Sequence, residues 1–75
     1  MTKEQLQYFP SPSQGYCYNL WDTQRFKFII RNDRMTKLGD FRHGGALKTP
    51  VITVNKGLNP ETFLITYIHE VAHHV

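Results

Sequence analysis

The feature that most constrains the fold is the last stretch of the 75-residue chain, which has the composition of a buried helix. Residues 63–75 are mostly apolar and include neither glycine nor proline. Just before them, Asn59, Pro60 and Glu61 suit an N-cap, a first helical position and a first turn, respectively. We therefore predict a long helix from Pro60 to the end of the chain, with an apolar core surface: Phe63, Leu64, Tyr67, Ile68, Val71 and Val75.

Within this helix His69, Glu70 and His73 have the spacing His-Glu-x-x-His. Positions four apart on a helix share a face and lie about 6 Å apart along the axis, so both imidazoles can reach one ion. Zinc accepts neutral histidine nitrogen at about 2.0–2.1 Å, and the spacing is typical of zinc-dependent proteases. We predict Zn²⁺ ligation by His69 and His73. Glu70 is predicted to be catalytic, because its carboxylate can flank the ion and take a proton from a zinc-bound water.

Two further histidines are weaker candidates for the metal. The ring of His74 projects about 100° away from that of His73 around the helix, so we interpret it as facing solvent or as supporting a ligand from behind. His43 precedes Gly44 and Gly45 in a predicted loop, where a single histidine is usually just exposed.

The beginning of the chain carries two signals for a helix start. Thr2 and Gln5 have the spacing of a capping box, which predicts a short helical turn. Ser11 as an N-cap followed by Pro12 predicts a second helix that runs to about Thr23. Its buried stripe is expected to contain residues at helical spacing: Cys17, Leu20, Trp21 and Gln24.

Three segments between the helices have the character of β-strands. They are residues 26–31, in which aromatic or aliphatic and basic residues alternate, residues 36–41, and residues 51–55, which are rich in β-branched types. Gly39 marks a bulge or a close backbone approach. The predicted fold class is α+β, with one domain over residues 1–75. In it a small three-stranded sheet packs on the C-terminal helix and an N-terminal helix precedes the sheet.

The cations of the chain are concentrated in its middle third, although the formal net charge is only +3. They are Arg25, Lys27, Arg31, Arg34, Lys37, Arg42 and Lys48. Such a patch can contact DNA, or it can be the solvated face of a sheet, since no base-reading motif accompanies the charge.

Composition also bears on the compartment. Cys17 is the single cysteine and cannot form an internal disulfide, which fits a reducing compartment or a small buried side chain. The first residues have no apolar run typical of a signal peptide, and no stretch has the length of a membrane span. We expect a cytoplasmic protein without a membrane partner.

Three features together resemble the SprT-like family of zinc metallopeptidases. These are the segment Lys37–Arg42, a strand that ends in Val54-Asn55, and the helix segment Tyr67–His74 with its His-Glu-x-x-His motif. The motif alone is shared by many zinc proteases, but the ordered combination is more specific. The resemblance covers about Arg25 to Val75.

The resemblance implies a zincin-like fold, in which a short mixed or antiparallel sheet packs on the active-site helix. His69 and His73 match the first two zinc ligands of the family, and Glu70 matches its catalytic glutamate. The third ligand is a histidine further along, which this chain lacks. We therefore expect an incomplete domain, cut just after the motif and inactive by itself. Eukaryotic members bind DNA and cleave proteins crosslinked to it, so the resemblance implies DNA-associated proteins as one candidate substrate class.

The predicted function is zinc-dependent hydrolysis of peptide bonds in a protein or peptide substrate, with DNA-associated proteins as one candidate class. The strand at Ile52–Asn55 is predicted to be the platform on which an extended substrate pairs. One alternative is a nucleic-acid-binding module with a structural or degenerate zinc site. Another is a core helix with incidental histidines.

Overall fold

The computed structural model describes residues 1–32, 38–43 and 49–74. In chain order the elements are α1 (Lys3–Leu6), a short 3-10 helix (Ser11–Ser13), α2 (Gln14–Gln24), β1 (Lys27–Arg31), β2 (Gly39–Arg42), β3 (Val51–Asn55) and α3 (Pro60–His74). The predicted α+β class and its three strands are confirmed. Residues 36 and 37 of the predicted second strand, Gly44 and Gly45 of the predicted loop, and Val75 lie outside the described residues.

The sheet is mixed, with strand order β1-β3-β2. β1 runs parallel to β3, and β2 runs antiparallel to it. The last strand in the chain, β3, is the central one of the sheet. It pairs with β2 on one side and with β1 on the other. Parallel strands cannot be joined by a tight turn, and here β2 and its connections lie between them in the chain.

Alternation along the strands gives the sheet two different faces. Phe28, Ile52 and Val54 are buried on the inner face, which packs against the helices. Lys27, Arg31 and Arg42 occupy the outer face, since side chains point to opposite sides at successive positions and register partners share a side.

α3 packs on the inner face through one stripe of buried residues: Phe63, Thr66, Tyr67, Glu70 and Val71. The prediction placed Leu64 and Ile68 in the core, but Leu64 is only half-buried and Ile68 is 36 % exposed. The prediction from hydrophobicity alone therefore gave the wrong rotation of the helix about its own axis. The small Thr66 faces β2, whose backbone approaches closely at Gly39.

Two of the three predicted helix-capping signals are present in the structure. The capping box of Thr2 and Gln5 is present, and Asn59 Oδ1 accepts a hydrogen bond from Thr62 N at 2.9 Å, as an N-cap should. The predicted N-cap at Ser11 is wrong. Ser13 instead donates from both its backbone N and its Oγ to the carbonyl of Pro10, which makes a 3-10 turn before α2 begins.

The core is largely aromatic. The ring centroid of Phe9 lies 4.9 Å from that of Phe63 and 4.8 Å from that of Tyr67, both edge to face. The hydroxyl of the fully buried Tyr67 donates to the carbonyl oxygen of Cys17 at 2.8 Å, which ties α3 to α2. Burial raises the pKa of the Cys17 thiol to about 11, despite an opposing hydrogen bond with Ser13, and raises the pKa of Tyr67 as well.

None of the helices that the structure describes has both the length and the hydrophobicity needed to cross a bilayer.

Candidate metal centre

His69 and His73 lie on one face of α3, and both side chains are exposed. Their Nε2 atoms are 3.2 Å apart, with ring centroids at 4.8 Å and ring planes nearly perpendicular. The two imidazoles thus turn the same nitrogen toward the same point. The predicted convergence of these side chains is present in the structure.

This separation fits shared ligation of a zinc ion. Two nitrogens at the usual zinc distance, at a tetrahedral angle to each other, would lie about 3.3 Å apart. The same separation also suits an N–H···N hydrogen bond between neutral rings. The separation is therefore compatible with both arrangements, and a metal titration distinguishes them.

Glu70 lies between the helix and the sheet and is only 8 % exposed. A Cβ atom added at Gly39 would lie 3.2 Å from Glu70 Cγ, 2.7 Å from Thr66 Cγ2 and 3.0 Å from the carbonyl oxygen of Thr53. Gly39 thus permits close contact between β2 and α3, and the predicted close backbone approach is confirmed. The contact holds the carboxylate-bearing side chain beside β2, one residue away from His69.

His74 is neither a ligand candidate nor a solvent-facing side chain. It is half-buried, and its Nε2 donates to the carbonyl oxygen of Gln24 at 2.9 Å. Its ring also contacts the rings of Phe26 and Phe41. The helical geometry correctly turned His74 away from His73, but no signal in the sequence identified α2 as its partner.

His43 is exposed and packs edge to face against Phe41, with ring centroids 5.1 Å apart. Across residues 1–32, 38–43 and 49–74, no group of three or more His, Cys, Asp or Glu side chains lies where it could hold a metal. Within that range His69 and His73 form a pair.

α3 packs against β2 and β3. Of these two strands only β2 lies at an edge of the sheet, because β3 is paired on both sides. The predicted substrate platform at Ile52–Asn55 is therefore wrong, since a central strand offers no edge for an added peptide. In the described part of the chain the sheet has two edges. On β1 the carbonyl of Phe28 already accepts a hydrogen bond from Gln5 Nε2, whereas no described strand pairs with the outer edge of β2.

The orientation of the β2 backbone follows from the pairing. The carbonyl of Leu38 accepts from Asn55 N at 2.8 Å, and hydrogen-bonded positions recur every second residue in an antiparallel pair. Asp40 and Arg42 therefore direct their backbone groups toward β3. Gly39 and Phe41 direct theirs away from the sheet, at the edge that borders α3.

Four of the seven predicted basic residues are described, and all four are exposed: Arg25, Lys27, Arg31 and Arg42. Three share the outer sheet face, and Arg42 forms an ion pair there with Asp40 at 3.1 Å. Arg34, Lys37 and Lys48 lie outside the described residues.

Comparisons with models of protein families, with curated proteins and with solved structures found no match for this chain. The SprT-like resemblance stays a prediction from the residues.

Proposed function

We propose that this chain carries the His-Glu-x-x-His helix of a zinc-dependent metallopeptidase domain of the SprT-like, zincin-like type. The observation that carries the proposal is the 3.2 Å separation of the Nε2 atoms of His69 and His73 on one exposed helix face. Glu70, at the neighbouring position, lies against β2. An open site with a nearby carboxylate favours catalysis over a closed structural zinc site.

His69 and His73 would hold the zinc through Nε2. When bound, the ion would polarise a peptide carbonyl and acidify a water molecule. The Glu70 carboxylate would accept a proton from the attacking water and return it to the amine nitrogen of the leaving fragment. Glu70 is buried between α3 and β2, which restricts the positions that its side chain can adopt.

The outer edge of β2 is the proposed substrate platform. An extended peptide would pair with the backbone groups of Gly39 and Phe41, as peptides do when they add a strand to a sheet edge. This edge borders α3, so the paired peptide would run past His69 and Glu70. β1 is a poorer platform because Gln5 occupies the carbonyl of Phe28.

Metal binding by the 75-residue chain is the first test. Cobalt or zinc titration is expected to give one ion per chain, with binding lost in His69→Ala and in His73→Ala. Glu70→Gln should bind the ion as wild type does, because Glu70 is not a proposed ligand. His43→Ala is the matched control, since it removes an exposed histidine elsewhere. Metal binding unaffected by His69→Ala would overturn the proposal.

Peptide hydrolysis needs a further step, because a catalytic zinc takes three protein ligands and this helix supplies two. We propose that the third ligand lies outside the described residues. A form of the protein in which that ligand is present should cleave an unfolded protein substrate, and Glu70→Gln should abolish cleavage with zinc retained. Cleavage that persists in Glu70→Gln would contradict the role of Glu70.

DNA is a second proposed partner, favoured by the placement of Lys27, Arg31 and Arg42 on one sheet face away from α3. If these side chains neutralise phosphates, binding to a duplex should fall steeply as salt is added. Lys27→Glu should weaken binding, whereas Lys3→Glu, the same charge change on α1, should have little effect. Equal effects of the two variants would remove this partner.

A further inference from the structure

A surface cleft of about 440 Å³ opens beside the proposed catalytic residues. It is lined by two segments, one from β2 and the turn before it and one from α3: Leu38 and Gly39, and Ile65, Thr66, His69 and Glu70. Its size is within the range of about 300–1,000 Å³ that small ligand sites occupy. His69 and Glu70 belong both to this cleft and to the proposed reaction centre.

Two of the residues that line the cleft are large, apolar and exposed. Ile65 is 69 % exposed and Leu38 is 49 % exposed, which makes them two of the most exposed large hydrophobic residues that the structure describes. Ile65 comes from α3 and Leu38 from the turn before β2. Exposed apolar side chains that are grouped around one recess favour a binding surface, whereas singly scattered ones are usual on any protein.

We infer that this cleft binds an apolar side chain of the substrate peptide, at a residue next to the scissile bond. The inference rests on the proposed peptidase function and adds a substrate preference to it. The occupant follows from the strand geometry. A peptide residue paired with Gly39 on the outer edge of β2 would point its side chain to the same face as Gly39, toward α3.

In the metal-free chain, the charge of the cleft also disfavours an acidic side chain in the peptide. Glu70 is its one acidic lining residue, and it has little exposure to water. An aspartate or glutamate side chain placed in the cleft would meet this carboxylate at short range in a partly desolvated site. Leucine, methionine or phenylalanine would instead cover Ile65 and Leu38.

Peptide binding to the metal-free 75-residue chain, followed by amide chemical shifts, tests the inference without requiring cleavage. Three capped peptides would differ at one position, which is Leu, Ala or Asp. The Leu peptide should bind at least about tenfold more tightly than the Ala peptide, since tenfold is the lower limit for one methylene group in a hydrophobic pocket. It should shift the amides of Gly39, Ile65 and Thr66, and the Asp peptide should bind most weakly.

Two isoleucines of α3 provide matched variants. Ile65→Asp should lose the preference for Leu, whereas Ile68→Asp, an equal change at an exposed position outside the cleft, should keep it. Ile65→Lys should shift the preference toward a Glu peptide. This gain keeps the test informative even where a loss of binding has another cause.

Equal affinity for all three peptides, no binding of any of them, or an unchanged preference in Ile65→Asp would overturn the inference. Metal binding by His69 and His73 is measured separately and does not involve Ile65. Metal bound by these histidines with no peptide preference would reject the cleft and leave the proposed function standing. Absence of metal binding by these two histidines would reject the proposed function itself.

Discussion

The Nε2 atom of His74 donates a hydrogen bond to the carbonyl oxygen of Gln24 at 2.9 Å, which joins the C-terminal ends of α3 and α2. Gln24 is the last residue of α2, where backbone carbonyls have no partner within the helix. The ring of His74 also packs on Phe41 of β2. The last turn of α3, which carries His73, is therefore held by both a helix and the edge strand.

Removal of this contact should affect stability more than metal affinity. His74→Ala is expected to lower the free energy of unfolding by about 1–2 kcal/mol, because it removes a hydrogen bond and part of a ring cluster. Urea unfolding measures this, and His74→Phe separates the two effects, since it keeps a ring and loses the hydrogen bond. A zinc titration should show a smaller effect than in His73→Ala. An equal loss of zinc in both variants would instead make His74 a ligand.

Gly39 is expected to tolerate no side chain. Gly39→Ala should cost about 1–3 kcal/mol, since overpacked interfaces respond on that scale and the new methyl would meet Thr66 Cγ2 at 2.7 Å. Thr66→Ser removes that methyl, so the double variant should recover part of the loss in a thermodynamic cycle. Gly15→Ala is the control. Nothing lies within 4 Å of its new Cβ in α2, and a gain of about 0.5–1 kcal/mol is expected.

Gly39 also shows what the sequence could and could not reveal about the fold. The pattern of strands and helices was readable because alternation, β-branched residues and the Asn59-Pro60 start signal are local. The rotation of α3 about its own axis could not be predicted in this way. A reading by hydrophobicity chose Ile68 for the core, whereas the close approach of β2 selects the small Thr66 for the inner face. That selection depends on which strand lies over the helix.

Only part of the candidate site could be predicted from the sequence, because the order of the strands in the sheet could not be. His69 and His73 were identified from spacing alone, because a helix fixes the relation of positions four apart. The position of the proposed substrate-binding edge depends on pairing between distant segments. The sequence favoured β3, whose residues are the best strand formers, and such residues suit a central strand paired on both sides.

Alkaline pH should destabilise the fold through its buried thiol. Burial raises the pKa of Cys17 from an ordinary value near 9.0 to about 11, so the unfolded chain releases this proton at lower pH than the folded chain. The protonated thiol therefore contributes about 2 kcal/mol to the free energy of unfolding below pH 9. This contribution is lost as the pH rises through about 11. Urea unfolding at pH 8 and pH 11 measures the loss.

Cys17→Ala is the matched variant for this pH effect. It should be somewhat less stable at pH 8, because a buried side chain is shortened, and should lose less stability between pH 8 and pH 11. Tyr67→Phe should act in the same direction, since burial also raises the pKa of Tyr67. It should further cost about 1 kcal/mol at neutral pH through the lost hydrogen bond to Cys17. An identical pH dependence in all three chains would mean that neither group causes the loss.

Zinc should stabilise the folded chain, because only the helix holds His69 and His73 at the separation that one ion requires. Linkage predicts a gain of about 2.7 kcal/mol in the free energy of unfolding when free zinc is a hundredfold above its dissociation constant. Thermal unfolding at increasing zinc should show a rising midpoint in wild type and in Glu70→Gln. His69→Ala should show none, and its midpoint without zinc should be close to that of wild type, since the side chain is exposed. A midpoint that rises equally in His69→Ala would place the stabilising ion elsewhere on the chain.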